Sequence, residues 1–328
     1  GIRDIGVTGV QTCALPILRH FRSVVGLPGH DAPEVAYQIH NKHLLRMVLR
    51  STGIPSPRSI ACDTLDEALM WFRALQAPAL VKPSDLAGGR GISRVDEANQ
   101  IEGAYLRART LSPSKQVVME EFIGGRNHGV TLMLRNQVPV FAFSDNEYYG
   151  VNPFRVAGAH CPSTLTDEDL AQVLDHASNF ARALDLVDGL LHLQVICGTA
   201  GVSFIEACRR PPGDFYPRLV DTATDYAYFE NAIRGYLGLS VRQTPGSQSC
   251  LPTIRHVLSA HRKGVLMGFS IAEDLKPFIV EMETWASVGD KVEDPMTWSG
   301  GVLLLQPPRP VFDDALRDIT SRAYAIVN

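Results

Sequence analysis

The chain has 328 residues, 45% hydrophobic and 20% charged, which is enough apolar material for a large core spread over two or three compact lobes. Its formal net charge of −4, with acids and bases well mixed, gives no electrostatic case for nucleic acid or an anionic membrane as the main partner. The six cysteines (Cys13, Cys62, Cys161, Cys197, Cys208 and Cys250) are scattered, with no CxxC pair and no histidine cluster at zinc spacing. That excludes an evident zinc framework or disulfide scaffold and fits a reducing cytoplasm.

Residues 7–17, VTGVQTCALPI, read as the translation of a sequencing-library adapter. Residues 1–17 are therefore expected to be an artefact, Cys13 chemically meaningless, and whatever naturally preceded residue 18 lost. The start lacks the basic residues and long apolar core of a signal peptide, and no apolar run is long enough to span a bilayer. Apolar residues then recur at helical spacing over 34–52, and Gly53, Pro55 and Pro57 close that helix, which places Lys42 on it. Asp63 to Glu67 supply a cap and an acidic first turn for a helix ending near Gln76. The short apolar strand 79–82 ends in Lys82 and runs into Pro83-Ser84-Asp85-Leu86-Ala87-Gly88-Gly89-Arg90-Gly91.

Glycines accept positive φ and let the backbone approach an anion closely, so this turn can aim successive N–H groups at a phosphate while Lys82 supplies a fixed charge. A loop this short is equally readable as mobile surface, and the rest of the chain has to decide. A helix over 95–109 follows, then a strand over 116–123 and a hairpin of 131–134 with 138–143. A polar loop is predicted for 144–162 and a helix from Thr166 to 184, with acids at its N-terminus as the helix dipole prefers. Strands 190–196 and 202–207 pair across Cys197-Gly198-Thr199-Ala200-Gly201. After a helix over 222–237 and a linker near 243–247, strands are predicted at 264–270, 280–283 and 301–305, with a last helix over 311–326.

A strand lysine entering a glycine-rich loop, a later strand Val118-Met119-Glu120-Glu121-Phe122-Ile123, and a hairpin carrying Gln194 and Glu206 twelve residues apart occur here in fixed order. In that order and spacing the chain resembles the ATP-grasp superfamily over residues 18–237. The tail, with Gly264-Val265-Leu266-Met267-Gly268 and Val288-Gly289-Asp290-Lys291-Val292, resembles the close of its biotin-carboxylase-like branch. The resemblance implies an α+β fold in which two lobes clamp ATP, with the Rossmann-like domain that precedes them largely missing. Residues 18–58 would lead in, 59–122 form the small lid lobe, 123–243 the large lobe with the metal site, and 250–328 a C-terminal α+β subdomain.

Carried onto this sequence, the resemblance gives Lys42 and Lys82 the ATP phosphates, and makes Ser84 to Gly91, with Gly88 and Gly89, the loop closing over them. Glu120, Glu121, Phe122 and Ile123 become the hinge where the adenine amino group meets a strand carbonyl and an acid caps the ring or ribose. Asn127 falls where a ribose-binding glutamate is usual and can bond hydroxyls through its amide. Two Mg²⁺ ions are implied at Gln194, Glu206 and Cys208, although cysteine offers soft sulfur to a hard cation where the family has asparagine. Arg210 would stabilise the transferred phosphoryl group, and Arg209, Arg155 and His160 would receive an anionic substrate. His192 reads as a core or second-layer histidine, and Cys161 and Cys197 as structural.

The implied activity is ATP- and Mg²⁺-dependent joining of a small-molecule carboxylate to an amine through an acyl phosphate, without nucleic acid or membrane; a homodimer is common in the family, and the sequence leaves the oligomeric state open. Two alternatives stay open: biotin-carboxylase-like phosphorylation of bicarbonate, and a catalytically impaired relative that only binds nucleotide.

Overall fold

The computed structural model describes residues 28–243 and 250–328. The adapter-like stretch and most of the linker expected at 243–247 lie outside the described residues. Near the start of the first lobe, β1 (Ser59–Cys62), β2 (Ala79–Pro83), β3 (Ser93–Val95) and β4 (Val117–Glu121) form an antiparallel sheet in the order β1-β4-β2-β3. Two helices, α3 (Leu65–Leu75) and α4 (Ile101–Leu111), bury Ala68, Ile101, Tyr105 and Ala108 against Val81, Val117 and Met119 of this sheet. Thr64 and Glu67 close a reciprocal capping box at the start of α3, as the acidic first turn predicts.

A second antiparallel sheet, β10-β9-β5-β6, is built from β5 (Arg126–Arg135), β6 (Val138–Ser144), β9 (Gly189–Gly198) and β10 (Gly201–Cys208). One face packs Leu132, Leu193 and Phe204 against α5 (Asp167–Ala183) and against Ile39, Leu45 and Leu49. Those last three come from two helices, α1 (Pro33–His40) and α2 (Lys42–Ser51), where one helix over 34–52 was expected. The break is Asn41, extended at φ −89° and ψ 116°, whose side chain accepts from Leu44 N at 3.1 Å and caps α2. The opposite sheet face buries Met133, Phe141 and Leu190 against α6 (Tyr216–Ala223) and α7 (Tyr228–Tyr236). These two helices replace the single one expected over 222–237, because Thr224 is extended and Asp221 caps the Tyr228 N–H at 2.7 Å.

The polar loop expected over 144–162 is instead the hairpin β7 (Asn146–Tyr149) and β8 (Val156–Cys161). They enter a five-stranded sheet, β13-β15-β11-β8-β7, with β11 (Thr253–Leu258), β13 (Ile279–Thr284) and β15 (Gly301–Leu305). This sheet draws strands from both sides of residues 244–249. The helix expected over 311–326 is two short turns, α8 (Phe312–Leu316) and α9 (Ile319–Arg322), interrupted by Asp318 at φ 51°. The chain then becomes β16 (Ala323–Val327), which pairs with β12 (Gly264–Ile271). Ala323, Ala325 and Val327 are buried in alternation, a two-residue period that the alanines disguise as helix. The short β14 (Lys291–Val292) completes that sheet, and among the described residues no helix is long and apolar enough to cross a membrane.

Candidate active site

Between the first two sheets lies a cleft of about 1020 Å³, walled by the glycine loop on one side and by β9 and β10 on the other. Lys42 opens α2 and Arg46 follows one turn later on the same helix face. Lys82 reaches the same place from β2. Their shared counterion is Glu120 on β4, which is 1% exposed, accepts from Lys82 Nζ and lies 3.0 Å from Arg46 Nη2. Burial alone would raise the Glu120 carboxyl, but the Arg46 and Lys82 cations, with Lys42 beyond them, drive it down to about 2. Lys42 donates to Leu86 O, and burial lowers its pKa, with Lys82 and Arg46 adding to the fall against the attraction of Glu206 and Glu120. Three cations thus converge on one carboxylate, and Arg46 Nε and Nη1 are buried without a partner.

The Glu120 carboxylate is thus held by internal cations, while the residue itself lines the cleft. The side chain of Glu121 is likewise engaged, by Arg58 at 2.9 and 3.0 Å. Phe122, Ile123 and Asn127 line the cleft together with Glu120 and Glu121, the Phe122 ring lying 4.2 Å beneath the Arg94 guanidinium.

Gly88, Gly89 and Gly91 have φ of 70°, 69° and 72°, in the left-handed region that glycine enters without strain. A Cβ on Gly89 would stand 2.4 Å from Phe154 O, so the loop leans across the cleft onto residues 153–155. Ser84 and Gly91 do not line the cleft: Ser84 is fully buried and accepts from Lys42 N at 3.4 Å, and Gly91 faces Pro83 and Leu111. They are the fixed ends from which Leu86 to Gly89 project. Asp85 anchors the first end by accepting from Ser112 Oγ at 2.7 Å and Ser114 N at 2.9 Å.

On the far wall a bulge between Phe204 and Glu206 lets Glu206 stand opposite Gln194, both facing the cavity. The bulge carbonyl, Ile205 O, accepts from Arg46 at 2.7 Å. Among the described residues no group of three or more His, Cys, Asp or Glu could hold a metal. A Mg²⁺ shared with nucleotide phosphates needs only one or two protein oxygens, and the Glu206 carboxylate with the Gln194 amide fits that demand. Cys208 does not fit: its Sγ donates to Arg210 O at 3.3 Å, and burial raises its pKa and keeps the thiol protonated.

Arg210 lines the cleft with a buried Nε that has no partner. Arg209 faces the other way and does not line the cleft: it pairs with Asp31 at 2.7 Å and donates to Leu190 O and Val187 O at 2.6 Å, clamping the segment before α1 to the start of β9. Arg155 lines the cleft, but its guanidinium donates to Thr297 O at 2.5 Å and Ser299 Oγ at 3.1 Å. His160 is absent from the cavity wall; it packs on Phe312 and Tyr148, and burial lowers its pKa to about 4. His192 is buried yet touches the cavity, and burial with Arg210 and Arg255 nearby lowers its pKa to about 3.

Sequence reasoning missed Arg46, although it stands at i+4 from Lys42 and so shares its face. It also missed Glu147 and Arg255, which line the cleft from strands read as loop or not read at all.

Residues 41–190 match the family model for the carbamoyl-phosphate synthase L chain, ATP binding domain. The chain has the ATP-grasp fold. An L-amino acid ligase from Bacillus licheniformis superposes with a TM-score of 0.76 at 17% identity, over 97% of this chain and 79% of that one. The biotin carboxylase domain of Hydrogenobacter thermophilus 2-oxoglutarate carboxylase, a dimer with MgADP and bicarbonate, gives 0.72 at 17%, over 94% and 72%. N5-carboxyaminoimidazole ribonucleotide synthetase from Thermotoga maritima gives 0.67 at 15%, over 96% and 79%. In ATP-grasp terms, the cleft lies between the lobe carrying the glycine loop and the lobe carrying Gln194 and Glu206.

Proposed function

We propose that this chain is an ATP-dependent carboxylate–amine ligase working through an acyl phosphate. The observation that carries this reading is the excess of positive charge at buried Arg46 and Lys82 and half-buried Lys42, beneath a positive-φ glycine loop and across from Glu206 and Gln194. Such an excess is costly unless a polyanion completes it. Lys42 and Lys82 hold the ATP phosphates, Gly88 and Gly89 cover them, and Phe122, Ile123 and Asn127 take the adenosine end. Glu206 and Gln194 hold Mg²⁺, which when bound neutralises developing charge on the phosphates.

A substrate carboxylate oxygen attacks the γ-phosphorus, a C–O–P bond forms and ADP leaves. Arg210, with its unpartnered Nε, stabilises the transferred phosphoryl group. An amine nitrogen then attacks the acyl carbon, the C–N bond forms, phosphate departs and the amine proton goes to solvent. Phosphorylation of bicarbonate is the second reading, favoured by the likeness to the biotin carboxylase domain.

The deciding experiment measures phosphate release with panels of carboxylates and amines against bicarbonate alone. Amine-dependent release supports ligation, whereas release that needs only bicarbonate overturns it in favour of the second reading. Lys82→Ala should weaken ATP binding and Glu206→Gln should abolish Mg²⁺-dependent turnover; ordinary nucleotide affinity in the first, or near-normal activity in the second, refutes the site.

A further inference from the structure

We propose that Glu147 is a positioning residue whose task is to fix which end of the Gln194 amide faces the cleft. The inference rests on the preceding reading of Gln194 and Glu206 as the cation ligands. A carboxylate has two equivalent oxygens and can ligate either way round. An amide has one oxygen and one NH₂, and only the oxygen is of use to a hard cation. A glutamine at a ligand position therefore needs something to orient it.

The structure supplies that partner. Gln194 Nε2 donates to both oxygens of Glu147, at 2.8 and 3.0 Å. With the amide reversed, two oxygens would meet at that distance and the NH₂ would be offered to the cation. Glu147 is itself held by the Tyr149 hydroxyl, which donates to its Oε2 at 3.2 Å from two residues along β7. Glu147 and Gln194 also belong to different sheets, β7 being the edge of the five-stranded sheet and β9 an inner strand of the four-stranded one. The orientation of the ligand is thus set from outside the sheet that carries it. Glu206, the register partner of Gln194 on β10, lies in the same cavity wall and completes the pair of oxygens. Partners of this kind, one bond removed from a metal ligand, typically alter metal affinity about 10- to 100-fold when removed.

The test uses the full chain with Mn²⁺ as the probe, read by electron paramagnetic resonance with ADP present, together with calorimetry of ADP binding without metal. Glu147→Leu, which has no acceptor, should weaken Mn²⁺ binding about 10- to 100-fold and leave metal-free ADP affinity unchanged. Adding Gln194→Glu to that variant should restore Mn²⁺ binding, because a carboxylate needs no orienting; damage to the fold would not be repaired in this way. Wild-type Mn²⁺ affinity in Glu147→Leu, or a loss that Gln194→Glu fails to restore, overturns the assignment while Glu206→Gln still weakens Mn²⁺. If Glu206→Gln leaves Mn²⁺ binding intact, the cation-site reading fails and this inference fails with it.

Discussion

Replacing Glu120 by glutamine removes the negative charge that pairs with Arg46 and Lys82 and attracts Lys42 beyond them. Arg46 and Glu120 are 2% and 1% exposed, so little solvent screening softens the loss. The Glu120 carboxyl falls from 4.5 to about 2 on folding, which at roughly 1.4 kcal/mol per unit is about 3 kcal/mol of stability at neutral pH. That agrees with the roughly 3–5 kcal/mol typical of breaking a buried ion pair from one side. Because the folded pKa lies below the unfolded one, the contribution is complete above about pH 4.5 and disappears as the pH falls toward 2. Guanidinium unfolding of both proteins from pH 7 down to pH 3 should show a gap of about 3 kcal/mol at the top of this range, narrowing steadily below pH 4.5. Added ATP should stabilise the variant more than the wild type, since phosphates replace the missing charge. A gap under about 1 kcal/mol at pH 7, or one that does not change with pH, would refute the reasoning.

Arg209→Ala should destabilise the chain by about 3–5 kcal/mol, because it strands Asp31 and two carbonyls, while the folded fraction keeps its ATP affinity by calorimetry. Loss of ATP or substrate affinity at unchanged stability would return Arg209 to the site. Gly89→Ala should weaken ATP binding about tenfold, since left-handed backbone costs about 1–2 kcal/mol with a Cβ and that Cβ would collide with Phe154 O. An alanine variant with wild-type affinity would show that the loop need not lean on Phe154 when nucleotide binds.

The elements legible in the sequence are those whose hydrophobic period is long or whose turn chemistry is explicit. The β9–β10 hairpin is announced by Gly198 and Gly201, and α5 by Thr166 and Asp169 closing a capping box. The β7–β8 hairpin is hidden because Glu147 and Tyr149 face the cleft and Asn146 bonds Pro162 O and Thr164 N, so polar side chains look like loop chemistry on strand backbone. Lys42, Lys82, Glu206 and Arg210 all reach the cavity, as the motif order led one to expect. Arg209 and Arg210 illustrate what adjacency conceals, for in the bend that follows β10 the first turns to Asp31 and only Arg210 reaches the cleft. Glu120 was legible as a site residue but not as a counterion, since its partner Arg46 sits 74 positions earlier and only folding brings them together. His160 was misplaced for the opposite reason: a histidine in an apparent loop invites a ligand role, and here the loop is an interior strand packed on Phe312.

The bulge at Phe204 and the five-stranded sheet bear on how this protein could be dissected. A fragment cut where the sequence match ends, at residue 190, would stop two residues into β9. It would leave β5 with a bare edge from Arg126 to Leu132 and remove Leu191, Leu193, Val195 and Phe204 from the core. Open hydrophobic edges of that length recruit other strands, so the expressed fragment should aggregate instead of binding nucleotide. A shortened chain ending before residue 250 would fare little better, because β8 would lose β11 and the Arg155 guanidinium would lose its carbonyls at 297 and 298. The segment recognisable by its motifs is therefore shorter than the segment that can stand alone, and any truncation has to follow the strand pairing.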